Sequence, residues 1–171
     1  MRTIEISLRT RSVSADDTFA LIKEFDRYPD LVDEVRRVTV RERSDGHLTS
    51  DWEVYFRNGP LRWEEVDYIE EERLRILFEQ LSGDFQAFRG SWQVTPEGGG
   101  AVVTFEATFD FGIPSLAGVL EPIAAKVLKE GIAVVVYRLL GGVDVISDPA
   151  VEAAVHRVIR ADDNSEQLAA S

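Results

Sequence analysis

The sequence predicts an α+β domain in which one seven-stranded antiparallel sheet wraps around a long C-terminal helix. Short segments rich in strand-forming residues follow one another between residues 35 and 111. They are separated by turn signals at Ser44-Asp45-Gly46, Asn58-Gly59-Pro60, Ser82-Gly83-Asp84 and the glycines at 98–100. Close spacing of that kind means hairpins rather than βαβ crossovers. After residue 111 the apolar period changes to that of a helix. A sheet with one apolar face needs a cover, and a single long helix lying across a strongly curved sheet supplies it, leaving a cavity between the two.

Taken in order, residues 3–12 alternate, with Ile4, Ile6 and Leu8 on one side and Glu5, Ser7 and Arg9 on the other. This is a half-buried strand. SVSADDTFALIKEF then carries Ser14 as an N-cap, acids in the first turn, and Phe19, Ile22 and Phe25 at helical spacing. Pro29 disfavours helical backbone at Tyr28 and breaks this helix, leaving a second short helix or turn with Leu31 and Val32. Strands are expected at 35–42, 48–56, 61–70, 73–81, 84–95 and 101–111. From Glu121-Pro122, with proline suited to a first helical turn, the helix runs to Gly141-Gly142. The main domain is thus 1–142. Residues 143–160 form an extra segment with one short helix carrying Val151, Val155 and Val158, and 161–171 form a disordered tail.

Composition narrows the function. Thirty-one acids against 19 bases give a formal net charge of −12, which repels phosphate backbones and argues against nucleic acid as a partner. There is no cysteine, so thiolate metal sites and cysteine nucleophiles are excluded, and the two histidines are too far apart to suggest a metal centre. No metal or cofactor is expected. No phosphate-binding loop or nucleophile elbow is present. The apolar run at 132–136 is too short to span a membrane, and no secretory signal pattern precedes the first strand, so a cytoplasmic protein is expected.

One strand, LRWEEVDYIE at 61–70, is anomalous. Leu61, Trp63 and Ile69 share a parity that should face the core, and Glu65 and Asp67 share it too. If that parity points inward, the two carboxyls face an apolar cavity, where a raised pKa suits general acid–base work. Otherwise the strand lies at a wet rim, or Val66 and Tyr68 point inward instead.

FDRYPDLVDEV at 25–35, WEVYF at 52–56, LRWEEVD at 61–67, GDFQAFRGSWQV at 83–94 and FDFGIPSLAGVLEP at 109–122 resemble, in this order, the START-like helix-grip superfamily (SRPBCC). The subgroup they resemble is that of polyketide cyclases/dehydrases and coenzyme-Q-binding proteins. The resemblance runs from residue 3 to residue 140. It implies a hydrophobic cavity holding a polyketide, an isoprenoid quinone or a lipid. Its aromatase/cyclases carry an aromatic residue before the proline of the first helical pair, here Tyr28, and a tryptophan on the penultimate strand, here Trp92. Their catalytic arginine and serine fall near Ile69 and Asp67, so arginine-assisted polarisation of a carbonyl does not carry over.

The candidate catalytic residues are therefore Glu65 and Asp67. Tyr28, Trp52, Trp63, Phe78, Phe88, Trp92, Phe105 and Phe109 are the aromatic candidates for stacking against a planar ligand. Gly131 in mid-helix either makes room for a ligand or allows close packing. Arg138, on the apolar stripe of the helix, either reaches a cavity carboxylate such as Glu65 or turns to solvent. Two functions compete: a cyclase/dehydrase acting on a polyketide chain or polycyclic intermediate, and a non-catalytic carrier of quinone or lipid. An acyl carrier protein as partner and a homodimer, through a sheet edge or 143–160, stay open.

Overall fold

A computed structural model describes residues 1–57 and 59–170. The first strand, β1 (Arg2–Thr10), buries Ile4, Ile6 and Leu8. Helix α1 (Ala15–Ile22) starts where Ser14 Oγ accepts the Asp17 amide at 3.1 Å. The helix stops before Phe25, which lies in a 3₁₀ turn leading directly into α2 (Tyr28–Leu31). Tyr28 is itself helical, at φ −58° and ψ −36°, against the expectation from Pro29. Its hydroxyl donates to the Ile22 carbonyl at 2.7 Å and its ring is buried against Phe25, Trp52 and Trp92. That packing outweighs the local pre-proline preference, and Pro29 occupies the first helical turn, where an N–H is not needed.

Six strands follow: β2 (Val35–Glu42), β3 (Leu48–Tyr55), β4 (Pro60–Glu70), β5 (Arg75–Gly83), β6 (Ala87–Glu97) and β7 (Gly100–Asp110). Helix α3 (Ala117–Leu140) starts one turn before the proline expected to open it, so Pro122 lies inside the helix. Gly141, at φ 71°, ends it, and the Gly142 amide returns to the Tyr137 carbonyl at 2.9 Å.

All pairings are antiparallel, in the order β2-β3-β4-β5-β6-β7-β1-β8. The eighth strand, β8 (Asp144–Ile146), corrects the expected seven. It pairs with β1 through Ser7↔Ile146, Leu8↔Val145 and Arg9↔Asp144. The stretch after residue 142 therefore extends the same sheet, and three residues are too few to show alternation in the sequence. Helix α4 (Pro149–Ala170) likewise runs through the segment expected to be a disordered tail. No glycine or proline interrupts it after Pro149. Val151, Ala154 and Val155 seat its first turns, while 161–170 are exposed.

The concave face of the sheet grips α3, and α4 packs on the far side of that helix. This double cover explains why α3 buries Val127 and Leu128 on one side and Ala133, Val136 and Leu140 on the other. Among the described residues, no helix is long and apolar enough to cross a membrane.

Candidate active site

The parity of β4 is inward: Trp63, Glu65 and Asp67 are all buried, at 6%, 5% and 0% exposure, while Tyr68 faces out. The β3–β4 hairpin sets what surrounds them. Its register places Trp52 opposite Trp63 and Ser50 opposite Glu65. The two indoles stack, with ring centroids 6.0 Å apart.

Their N–H groups feed a buried polar chain. Trp63 Nε1 donates to Glu65 Oε1 at 2.7 Å, and Trp52 Nε1 donates to Ser50 Oγ at 2.8 Å. An indole N–H can only donate, so Ser50 accepts from Trp52 and gives its own proton to Asp67 Oδ2, 2.6 Å away. Asp67 Oδ1 is buried without a hydrogen-bond partner among the described residues.

Burial, above all, pushes the Glu65 carboxyl well above its ordinary pKa, and the hydrogen bond and negative charge of Asp67 push it further. The Trp63 N–H pulls in the opposite direction. Asp67 is raised by burial and held back by its bonds from Glu65 and Ser50. Burial of both carboxyls, two residues apart on one face of β4, favours a shared proton over two negative charges. Burial and the neighbouring Asp67 and Glu65 also raise Tyr28, which stays a phenol.

Glu65 faces a cavity of about 70 Å³ between the sheet and α3. Tyr28, Trp52, Trp63, Phe78, Phe88, Trp92, Phe105 and Gly131 line it, together with Phe25 and aliphatic side chains of β2, β3 and α3. Asp67 is not on this wall but lies behind Glu65, against Ser50. Two expected wall residues lie elsewhere. Phe109 is fully buried and packs against Phe85 and Phe111, one layer outside the cavity. Arg138 donates to the Leu31 carbonyl and pairs with Asp162 on the far side of α3, so it does not reach Glu65. The cavity is also smaller than the few hundred Å³ usual for ligand sites.

A second hollow of about 460 Å³ opens outside, between α3, α4 and the ends of β2 and β3. Val32, Glu34, Val127 and Gly131 line both spaces. Among the described residues, no group of three His, Cys, Asp or Glu side chains is gathered as for a metal ion.

Over residues 12–134, most of its length, the sequence matches the family described as polyketide cyclase / dehydrase and lipid transport. The chain belongs to that family. Its fold is similar to that of a protein from Thermus thermophilus, at 22% identity and a TM-score of 0.71, covering 92% of this chain and 99% of the other. It is also similar to the Zhui aromatase/cyclase from Streptomyces sp. R1128, at 16% identity and a TM-score of 0.66, over 82% of this chain and 92% of that one. Norcoclaurine synthase from Thalictrum flavum shares the fold at 16% identity and a TM-score of 0.62, over 81% and 85% of the two chains. At such identities the likeness is one of fold. No curated protein matches the sequence. Within this family fold, Ser50 and Glu34 are site residues that sequence reasoning missed. The signal that could have found Ser50 is its parity: it alternates with Trp52 on a strand that must pair with 61–70.

Proposed function

We propose that the protein binds a ring-bearing apolar molecule in this cavity and acts on it as a cyclase/dehydrase, with Glu65 as the proton donor. The observation that carries this reading is the buried Glu65 carboxyl on the wall of a largely apolar cavity, its pKa raised by burial. Proton transfer from such a group to a reacting oxygen is what ring-closing aldol chemistry and its dehydration require. In the dehydration step, Glu65 protonates a β-hydroxyl as its C–O bond breaks and water leaves. The resulting carboxylate then takes the α-proton, the C–H electrons form the new double bond, and Glu65 is restored. Trp63 fixes the carboxyl through Oε1. Asp67 does not touch the cavity and acts as a positioning residue that keeps the proton on Glu65.

The substrate class is a polyketide chain or polycyclic intermediate. With a net charge of −12, a free molecule suits this surface better than one delivered by an acidic carrier protein. Carriage of a quinone or lipid is the second reading. It is favoured by the wall itself, where, among the described residues, Glu34, Glu65 and Tyr28 are the ionisable groups and no arginine stands.

The test is turnover of a synthetic aryl β-hydroxyketone, followed by mass spectrometry for loss of water. Glu65→Gln should lower the rate by roughly 10²–10⁴ with little change in affinity. Asp67→Asn should cost less and move the alkaline limb of the pH profile downward. Wild type that binds the ketone and returns it unchanged supports the carrier.

A further inference from the structure

The geometry points to a ligand site of two compartments joined at Gly131, taking an elongated molecule whose ring end lies inside and whose hydrogen-bond-donating tail lies under α4. This rests on the ligand-binding part of the function proposed above and adds the ligand's shape and the chemistry of its far end.

Size is the first argument. The inner compartment, at about 70 Å³, is too small for a typical small-molecule ligand. Together with the outer one, at about 460 Å³, it falls within the usual range. Gly131 stands where they meet, on the walls of both. A Cβ built on it meets no atom within 4 Å, so this helical position faces open space instead of a packed neighbour. Close packing, the other reason for a mid-helix glycine, is thereby removed. Any larger residue would project into the neck, which makes Gly131 a specificity-determining position for ligand length.

Charge is the second argument. The outer compartment is lined by Asp33, Glu34, Glu130 and Asp162 against Arg57 and Arg138. Arg138 is committed to the Leu31 carbonyl and Asp162, and Glu130 pairs with Lys126, which leaves Asp33 and Glu34 against Arg57. Glu34 sits at the neck itself. Such a rim repels a carboxylate or phosphate and favours a hydroxyl or protonated amine. Its outer wall comes from Ala154, Val158 and Ala161 of α4, so the C-terminal helix belongs to the site.

The test measures equilibrium binding to the full chain of three probes sharing one small ring: benzamide, N-(5-aminopentyl)benzamide, and 6-benzamidohexanoate with an acidic tail. Wild type should bind the aminopentyl probe about tenfold more tightly than benzamide, and the acidic probe no better than benzamide. Gly131→Leu should erase the advantage of the amine tail, read as the ratio of the two affinities, while thermal stability holds. Glu34→Gln should reduce the advantage, and Gly131→Ala should give an intermediate value in a fold that is no less stable. General attraction of a cation to an acidic surface would be indifferent to Gly131. An advantage unchanged in both Gly131 variants, or absent from wild type, overturns the two-compartment site alone. Failure of wild type to bind any of the three overturns ligand binding in this cavity, and the proposed function with it.

Discussion

Trp52 and Trp63 stack with their planes only 4° from parallel, and each directs its N–H to a buried polar side chain, Ser50 for one and Glu65 for the other. Ser50 in turn donates to Asp67, so the hairpin register sets partners for both carboxyls of β4. The Trp63 bond and burial together direct the Glu65 carboxyl.

The shared proton sets a pH dependence of stability. Glu65 has its pKa raised on folding, from an ordinary value of 4.5, so between that value and its folded one the native state holds more protons than the unfolded chain. Its contribution is complete below pH 4.5 and is lost as pH rises through the folded value. In urea unfolding, wild type should lose up to about 1.4 kcal/mol per pH unit in that window relative to Glu65→Gln. Parallel stability curves for the two proteins would show that Glu65 is ionised in the native state.

Ser50→Ala should destabilise by about 1–3 kcal/mol, because it strips partners from both the Trp52 N–H and Asp67 while both stay buried. The same variant should shift Trp52 fluorescence and alter the pH profile of turnover. A merely structural hydroxyl would leave the profile where it is.

Gly131→Ala should raise stability by about 1 kcal/mol, the usual difference in helix propensity, since the new methyl meets nothing. Thermal unfolding measures this directly, and a drop would mean that the helix needs the glycine.

Gly90 on β6 is the opposite case. A Cβ there would stand 2.1 Å from the Glu106 carbonyl oxygen and 2.5 Å from Phe78 Cζ. Gly90→Ala should cost about 3 kcal/mol and move Phe78 into the cavity it lines. Unfolding in urea reads the cost, and quenching by acrylamide reads the cavity tryptophans.

The aromatics of the cavity were legible because strand alternation fixes which side chains share a face, and Trp63, Phe78, Phe88, Trp92 and Phe105 all obey it. The same alternation found Glu65 and Asp67, whose inward parity the structure shows. Alternation gives a face but not a depth: Phe109 is on the inner face yet lies beyond the cavity, and Asp67 lies behind Glu65. Arg138 sits on an apolar stripe because α3 is covered on two sides, and a single chain pattern does not say which cover an arginine faces. β8 escaped notice because three residues carry no period, and Ser50 because a small hydroxyl announces itself only through its partners.

The place of β1 between β7 and β8 has a consequence for how the chain is made. Strands β2 to β7 each find a partner next to them in sequence, but Ile6 pairs with Phe105, about a hundred residues away. On a ribosome adding 5–20 residues per second, the first strand emerges on the order of ten seconds before either neighbour exists. Through that interval Ile4, Ile6 and Leu8 stay uncovered, and among the strand pairings only that of β1 with β8 closes a longer loop than the one with β7 that seats them. Completion of the sheet is therefore a late, nonlocal event, and the interval before it is when this protein is most exposed to aggregation.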